Sequence, residues 1–521
     1  VHPLAQANTQ PLPVPEVDWR AIAPELALAV AGVVLLLVVA FWPRAGRGTL
    51  AGLTLVGLAV AAALTIWNWD LERVAFEGAV SLDGITRYAR AILLAVGVLA
   101  TLMVAQGNAR EGEPDDSPPE VYPLLLFALL GMVLLAAASD LLVVFIALEI
   151  LSLSLYVLAG ETRRLAAQEA AMKYFLLGAF SSAFLLYGIA LCYGATGSTN
   201  LLEIARATGD PTGDGTLLLA GVGLLAVGFL FKVSAVPFHM WTPDVYQGTP
   251  TPVAAFMAAA TKVAAFAVFL RVFAGALGGL VVSWRPAIAA VAVVTMLLGA
   301  GLAVVQTDLK RMLAYSSISH AGYLLIGVAA AATVPAAISA SMFYLLVYAF
   351  MVMGAFMVVQ YVSRLGPAPE GSGEPQGGAP VDEVYEAIRE RSSLDDYRGL
   401  ARRHPWAAGL LAVFMLALTG IPPLSGFWAK YYVFLSAIQA GLTWLVVVAV
   451  ISSVISAFFY LRVLVVAYLQ EPAGDAEAEA APGRAPALGL ALGLAGALTV
   501  VIGLAPEALI SAARTAERIL G

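Results

Sequence analysis

The 521-residue chain is expected to fold as an all-α polytopic membrane protein with about 14 transmembrane helices. Two features of its composition and one of its pattern carry that expectation. Hydrophobic residues make up 61% of the chain and charged residues only 12%, where a soluble domain carries about 25% charged residues. The mean hydropathy is +0.88. Apolar runs near the ~20 residues needed to cross a bilayer recur along the whole sequence. Lipid offers the backbone no hydrogen-bond partners, so each spanning segment must pair its own N–H and C=O groups. The period-two alternation of barrel strands is absent, which leaves helices.

In chain order the runs lie near 24–42, 50–68, 87–105, 122–138, 140–160, 168–194, 216–246, 251–274, 284–305, 313–332, 335–363, 406–436, 441–469 and 486–504. Residues 1–23 are Pro-rich and hold Glu16, Asp18 and Arg20, unlike a secretory signal, so the first run is expected to stay as an anchor. Spans four and five are divided by Ser139 and Asp140. Span seven is interrupted: Pro237, Pro243, Gly248 and Pro250 follow Lys232, and each proline removes a backbone donor and clashes with the preceding turn. Span twelve is interrupted likewise by Gly420, Pro422, Pro423 and Gly426, just before Lys430. Broken helices at matching positions of two halves point to inverted repeats around a midplane ion site, here helices 4–8 and 9–13. The alternative is that the prolines only kink the helices for packing. The expected divisions are 1–121, a first repeat 122–274, a second repeat 275–469 and a terminal part 470–521.

The long connection 364–405 opens with GPAPEGSGEPQGGAP, a linker, and continues as VDEVYEAIRERSSLDDYRGLARRHP, a surface helix. Its mixed charges read as a solvated face in preference to a docking site. The acidic, low-complexity stretch near 471–486 is assigned no chemistry.

Orientation follows from Lys and Arg. One set of connections holds Arg44, Arg47, Arg110, Arg163, Arg164, Lys310, Arg311, Arg364, Arg389, Arg391, Arg398, Arg402, Arg403 and Arg484, and the other only Arg20, Arg73, Arg206, Arg285, Arg514 and Arg518. The positive-inside rule then puts both termini on the outer side of a bacterial-type plasma membrane. A net charge of −7 argues against a nucleic-acid partner. The single cysteine, Cys192, excludes an intramolecular disulfide and a cysteine-held metal or iron–sulfur centre, so no cofactor is expected on this chain. Gly221, Gly223 and Gly228 lie within an apolar helix with no preceding strand and read as helix-packing positions, not a dinucleotide loop. No P-loop, HExxH motif or nucleophilic triad occurs.

A few ionisable residues remain within apolar runs, where insertion costs about 2.5–3.5 kcal/mol for each charge. Glu149 lies in LLVVFIALEILSLSLYVLAG, about 13 Å along its helix from Asp140. Lys232, Lys262 and Lys430 lie in GFLFKVSAVPFHMW, AAATKVAAFAVFL and TGIPPLSGFWAKYYVF. They read either as packing ion pairs and snorkelling lysines, or as a proton relay. In the relay reading the distance between Glu149 and Lys232 switches the proton affinity of the lysine. His320 sits in LAYSSISHAGYLLIG among Tyr315, Ser316, Ser317 and Ser319, a hydroxyl-rich face suited to water. It is either a proton bridge between Lys262 and Lys430 or a hydrogen-bonded core histidine. His239 follows the break in span seven and either lines an access path or packs; His2 and His404 lie outside the spans.

The strings FKVSAVPFHMWTPDVYQGTPTPVAAF (231–256), QTDLKRMLAYSSISHAGYLLIG (306–327) and TGIPPLSGFWAKYYVF (419–434) resemble the antiporter-like subunits of respiratory complex I and of multisubunit sodium/proton antiporters. Within that superfamily, PDVYQGTPTP and a lysine at 430 look like the subunit N branch of NADH-quinone oxidoreductase. The resemblance spans helices four to thirteen. It implies that Glu149, Lys232, Lys262 and Lys430 match the family's intramembrane glutamate and lysines, and that His320 matches a bridging position of sister subunits. It also implies that NADH, FMN, iron–sulfur clusters and quinone belong to other subunits. The partners would be the membrane-arm and peripheral-arm subunits of the complex. The expected function is proton translocation coupled to redox chemistry elsewhere in the assembly. The alternatives are a subunit of a sodium/proton antiporter and a structural scaffold with replaceable charges. The Gly-rich 364–405 connection and the extended ends depart from the family pattern.

Overall fold

The computed structural model describes residues 17–42, 44–107, 118–162, 164–209, 215–365, 390–472 and 485–519. The Pro-rich start with Glu16 and His2, most of the expected linker and surface helix, the acidic stretch, and Arg110, Arg163, Arg389 and Arg484 lie outside the described residues. Helices α1 (Ala23–Phe41), α2 (Arg47–Trp67), α3 (Gly84–Gln106), α4 (Val121–Ala137), α5 (Leu141–Ala159) and α6 (Leu165–Thr196) come first, followed by the short α7 (Leu201–Gly209). Then come α8 (Gly215–Lys232), α9 (Trp241–Gly248), α10 (Thr251–Ala276), α11 (Val281–Val304), α12 (Leu309–Ala331) and α13 (Ala336–Ser363). The chain closes with α14 (Pro405–Thr419), α15 (Ser425–Gln439), α16 (Thr443–Leu469), α17 (Pro486–Leu504) and α18 (Glu507–Ala513).

Among the described residues, twelve helices are long and apolar enough to cross a membrane, and two shorter apolar ones, α4 and α14, accompany them. The two differences from the expected count have separate causes. Helix α4 has 17 residues, about 25 Å at the usual rise, which is short of a full hydrocarbon thickness. Span twelve is cut into α14 and α15, of 15 residues each, by the turn at Gly420–Leu424. Span seven is likewise cut into α8 and α9. A departure from the all-α expectation is a two-stranded hairpin, β1 (Arg73–Ala75) with β2 (Val80–Leu82), seated where α4 meets α5 through Ser139 N donating to Ala79 O.

Local chemistry explains the divisions. Asp83, Asp140 and Asp308 are N-caps whose carboxylates accept from Thr86 N, Leu142 N and Arg311 N, starting α3, α5 and α12. The cut at Ser139–Asp140 is therefore a helix start. Gly221 and Gly228 let α8 lie against α6: a Cβ at either would meet Cys192 or Leu185 within 3 Å. Gly223, grouped with them from sequence, faces open space.

Burial sorts the bundle into a centre and a rim. The apolar windows of α10 and α12 are wholly buried and that of α13 is 94% buried, while only a minority of those of α1, α6 and α16 is buried. The centre holds more charge than the sequence reading allowed. Arg271 of α10 makes a two-pronged ion pair with Asp83, both side chains 1% exposed, and also donates to Thr86 Oγ1 and Ala136 O. Arg90 of α3 pairs with the buried Glu25 of α1. These residues lie near the ends of apolar runs, and the sequence reading passed over them.

Candidate functional site

Glu149 projects from α5, half-buried, and accepts from Ser182 Oγ of α6. One turn further along the same face, Ser152 Oγ accepts from Lys232 Nζ at 2.6 Å. The carboxylate and the ammonium are thus each held by a separate hydroxyl, and no ion pair joins Glu149 to Lys232 among the described residues. Lys232 is the last residue of α8, and its Nζ is 5.7 Å from the Tyr156 ring centre and 5.8 Å from that of Tyr174.

The break that ends α8 explains the next step. Ser234 has φ +65°, and Val236 N donates to Thr295 Oγ1 of α11 at 3.0 Å, so the chain turns out of the helix just beyond Lys232. The first carbonyl past the helix end, Val233 O, accepts from Lys262 Nζ at 3.0 Å. Lys262 therefore anchors on the residue adjoining Lys232. It lies on the fully buried α10 directly after a π-helical turn, Met257–Thr261, and such turns recur at functional sites.

On α12, His320 is buried, with Nδ1 2.7 Å from the Tyr344 hydroxyl and Nε2 3.2 Å from that of Tyr460. The Tyr460 hydroxyl is also bonded to Ser316 Oγ, and Tyr348 donates to Ser317 Oγ at 2.9 Å. Tyr323 donates to Ser452 Oγ at 3.2 Å, and Ser319 reaches the same hydroxyl at 3.5 Å. The adjacent Ser453 accepts from Lys430 Nζ at 2.7 Å, while Thr419 O, the last carbonyl of α14, accepts from the same ammonium at 2.7 Å and from Ser453 Oγ at 3.4 Å. Lys430 also lies 5.1 Å from the Tyr323 ring centre and lines a cavity of about 460 Å³ with Gly420, Phe427, Tyr431 and Ser453. At each helix break, a carbonyl at or just past the helix end thus receives a buried lysine.

Two residues expected to line the path stand apart. His239 is half-buried in the loop beside the exposed Pro237 and Met240, and its Nδ1 lacks a hydrogen-bond partner among the described residues. Tyr315 is half-buried beneath the Arg311 guanidinium, 5.9 Å from the ring centre, and takes no part in the His320 network. Sequence reasoning missed Ser152, Ser182, Tyr344, Tyr460, Ser452 and Ser453. A signal existed for the last two: ISSVIS places hydroxyls at i, i+1 and i+4 on an otherwise apolar helix. At one end of the bundle, Asp244 of α9 pairs with Lys173 of α6 at 2.9 Å and Arg311 of α12 at 2.7 Å, fixing the detached half-helix.

Residues 138–456 match a family described as NADH:quinone oxidoreductase/Mrp antiporter, TM. NADH-quinone oxidoreductase subunit N of Acidothermus cellulolyticus is 44% identical over 99% of both chains, and that of Mycobacterium bovis is 42% identical over 98% of this chain and 99% of its own. Among solved structures, a chain of respiratory complex I from Thermus thermophilus superposes with a TM-score of 0.76 at 37% identity, covering 94% of this chain and 98% of that one. A chain of the Mrp complex from Dietzia sp. superposes with a TM-score of 0.79 over 96% of this chain and 97% of its own, but at 22% identity it shares the fold alone. With a match over more than half of the chain and relatives above 40% identity from end to end, the chain belongs to the NADH-quinone oxidoreductase subunit N family.

Proposed function

We propose that this chain is a proton-translocating membrane subunit of NADH:quinone oxidoreductase, moving protons through buried charges under the drive of redox chemistry in other subunits. NADH, FMN, iron–sulfur clusters and quinone are assigned to those subunits. The observation that carries the reading is the row Glu149, Lys232, Lys262, His320, Lys430, whose members are joined or flanked by hydroxyls and break carbonyls instead of by fixed counter-ions. A static packing pair places a carboxylate against its cation, as Asp83 does for Arg271. Lysines held only by neutral dipoles gain or lose a proton without breaking an ion pair. In this reading Glu149 tunes Lys232, Lys262 holds the proton at the centre, His320 with waters bridges to the second half, and Lys430 governs release. The same reading includes fourteen spans, inverted repeats over 122–274 and 275–469, and both termini on the outer side of the plasma membrane.

The test has two parts. Tagged chain purified in mild detergent should bring flavin and iron–sulfur subunits and NADH:quinone activity with it. Recovery with small membrane subunits alone and no NADH activity favours a sodium/proton antiporter instead. In the assembled enzyme, Lys262→Ala and Glu149→Ala should lower coupled turnover without unfolding the chain. Removing the Lys262 charge relieves about 2.5–3.5 kcal/mol of insertion cost, while stranding the Val233 carbonyl costs about 1–3 kcal/mol, so stability is nearly unchanged. Normal pumping by assembled Lys262→Ala enzyme would overturn the central relay.

A further inference from the structure

The connection between α13 and α14 re-enters the described residues at Glu390, and there it does not lie on the surface. Residues 392–394 run antiparallel to 307–309: Leu309 N donates to Ser392 O at 2.6 Å, Leu394 N donates to Thr307 O at 2.8 Å, and Ser392 Oγ bonds the Asp308 carboxylate. Ser393 and Asp396 form a reciprocal cap and Tyr397 is wholly buried, so the segment is anchored on both sides of its backbone pairing. This seating drives the Glu390 side chain inward, leaving it 10% exposed.

Its carboxylate meets three elements. Oε1 accepts from Thr251 N at 3.2 Å and lies 3.6 Å from Arg164 Nη1; Oε2 accepts from Thr251 Oγ1 and, at 2.6 Å, from Lys310 Nζ. Lys310 is 1% exposed and also donates to Thr249 O, the joint between α9 and α10, at 2.6 Å. Pro250 and Pro252 have no N–H, so Thr251 N–H is one of few donors at the first turn of α10, the end of a helix that favours negative charge. Burial alone raises the Glu390 carboxyl, but Lys310, Arg164 and the bonds from Lys310 and Thr251 more than offset it and hold the group below its ordinary value, ionised at neutral pH. Thr251 begins α10 and Lys310 lies in the first turn of α12. Lys262 is 11 residues beyond Thr251 and His320 is 10 beyond Lys310, about 16 and 15 Å along their helices. The two relay residues therefore stand at the same depth below one carboxylate, and a tilt of either helix at that point changes the gap between them.

We propose that Glu390 is a positioning residue for proton transfer: one carboxylate from the long connection clamps the ends of α10 and α12 and the α5–α6 turn, setting the spacing of Lys262 and His320. This rests on the relay reading of the preceding subsection. The experiment uses the assembled membrane enzyme in sealed vesicles, with Glu390→Ala, Glu390→Gln, Glu390→Asp, Lys310→Ala and the double variant Glu390→Ala/Lys310→Ala. Coupled turnover, protons moved per NADH and assembly on native gels are read for each. Loss of the clamp should lower coupled turnover by about 2- to 30-fold, the range for residues acting through others. Glu390→Asp should recover most of it, and the double variant should be less impaired than the product of the two single effects, because the Glu390–Lys310 bond is common to both. If Glu390→Ala does not assemble, Glu390→Gln, which keeps an acceptor for Thr251 but no charge for Lys310, carries the same expectation. Full coupled turnover in assembled Glu390→Gln, additive effects in the double variant, or no recovery by Asp overturns the clamp. Failure of the clamp alone leaves Lys262→Ala impaired, whereas failure of the relay reading leaves Lys262→Ala normal.

Discussion

Gly426→Ala changes no charge and removes no hydrogen-bonding group, yet it should disable Lys430. A Cβ at Gly426 would lie 1.8 Å from Ala417 O and 2.8 Å from its carbonyl carbon, both backbone atoms that cannot swing aside. Bringing the nearer contact to 3.0 Å requires α15 to move from α14 by about 1.2 Å, the difference of the two distances. Lys430 lies one turn beyond Gly426 on the same face, and Thr419 lies two residues beyond Ala417. The 2.7 Å bond from Lys430 Nζ to Thr419 O would then widen to about 3.9 Å and be lost. A hydrogen bond from a charged group contributes about 1.5–3 kcal/mol, or about 10- to 150-fold in the population of the correctly held lysine. Coupled NADH:quinone turnover and proton pumping, measured on enzyme whose assembly is verified by native gel, should fall by at least the lower of these factors. The double variant Gly426→Ala/Lys430→Ala should match Lys430→Ala alone, since the glycine acts through the lysine. Assembled Gly426→Ala with turnover within about twofold of wild type refutes the link between the helix break and the placement of Lys430.

Three further outcomes are expected. Asp83→Leu or Arg271→Leu alone strands a buried charge and should cost about 3–5 kcal/mol, while the double replacement should be close to neutral; thermal unfolding in detergent reads both, and equal losses in all three variants would show the pair to be irreplaceable. Ser152→Ala removes the hydroxyl that Lys232 holds at 2.6 Å and leaves that ammonium facing aromatic rings, so coupled turnover should fall about tenfold with assembly retained; unchanged turnover would exclude Ser152 from the path. The folded Glu390 carboxyl lies below its ordinary value of 4.5 because Lys310, Arg164 and the bonds around it outweigh burial, so its share of stability is present above about pH 4.5 and lost as pH falls through the folded value. The gap in unfolding midpoint between wild type and Glu390→Gln should therefore narrow as the pH falls below about 4.5, and a gap that stays constant from about pH 5 to about pH 2 would contradict the assignment.

The spans, both helix breaks and the four central charges could be read from the sequence because each rests on a local rule: run length, proline chemistry and the cost of charge in lipid. What joins those charges could not be read this way. Ser152 and Lys232 are 80 residues apart and His320 and Tyr460 are 140 apart, and an isolated serine or tyrosine in an apolar helix carries no cost that marks it. Asp83 and Arg271 were hidden for a related reason, because each lies near a run end where a charge is ordinary. Glu390 misled more directly. Its neighbours are charged and polar, a pattern that normally means solvent, and only the backbone pairing to 307–309 turns its side chain inward. The strings shared with the subunit N family supplied the order of the charges, but not the hydroxyls between them.

Lys232 and Val233 are consecutive, and between them they touch both lysines of the first half: the side chain of one reaches Ser152, and the carbonyl of the next receives Lys262. The two contacts are made by consecutive residues, so they sit on one short stretch of chain at the tip of α8. Rotating that tip pulls the Lys232 ammonium along α5 and re-aims the Val233 dipole at Lys262 in the same stroke. In the proposed relay, the proton affinities of the two lysines would therefore be geared together, a push on the tip from one side resetting both.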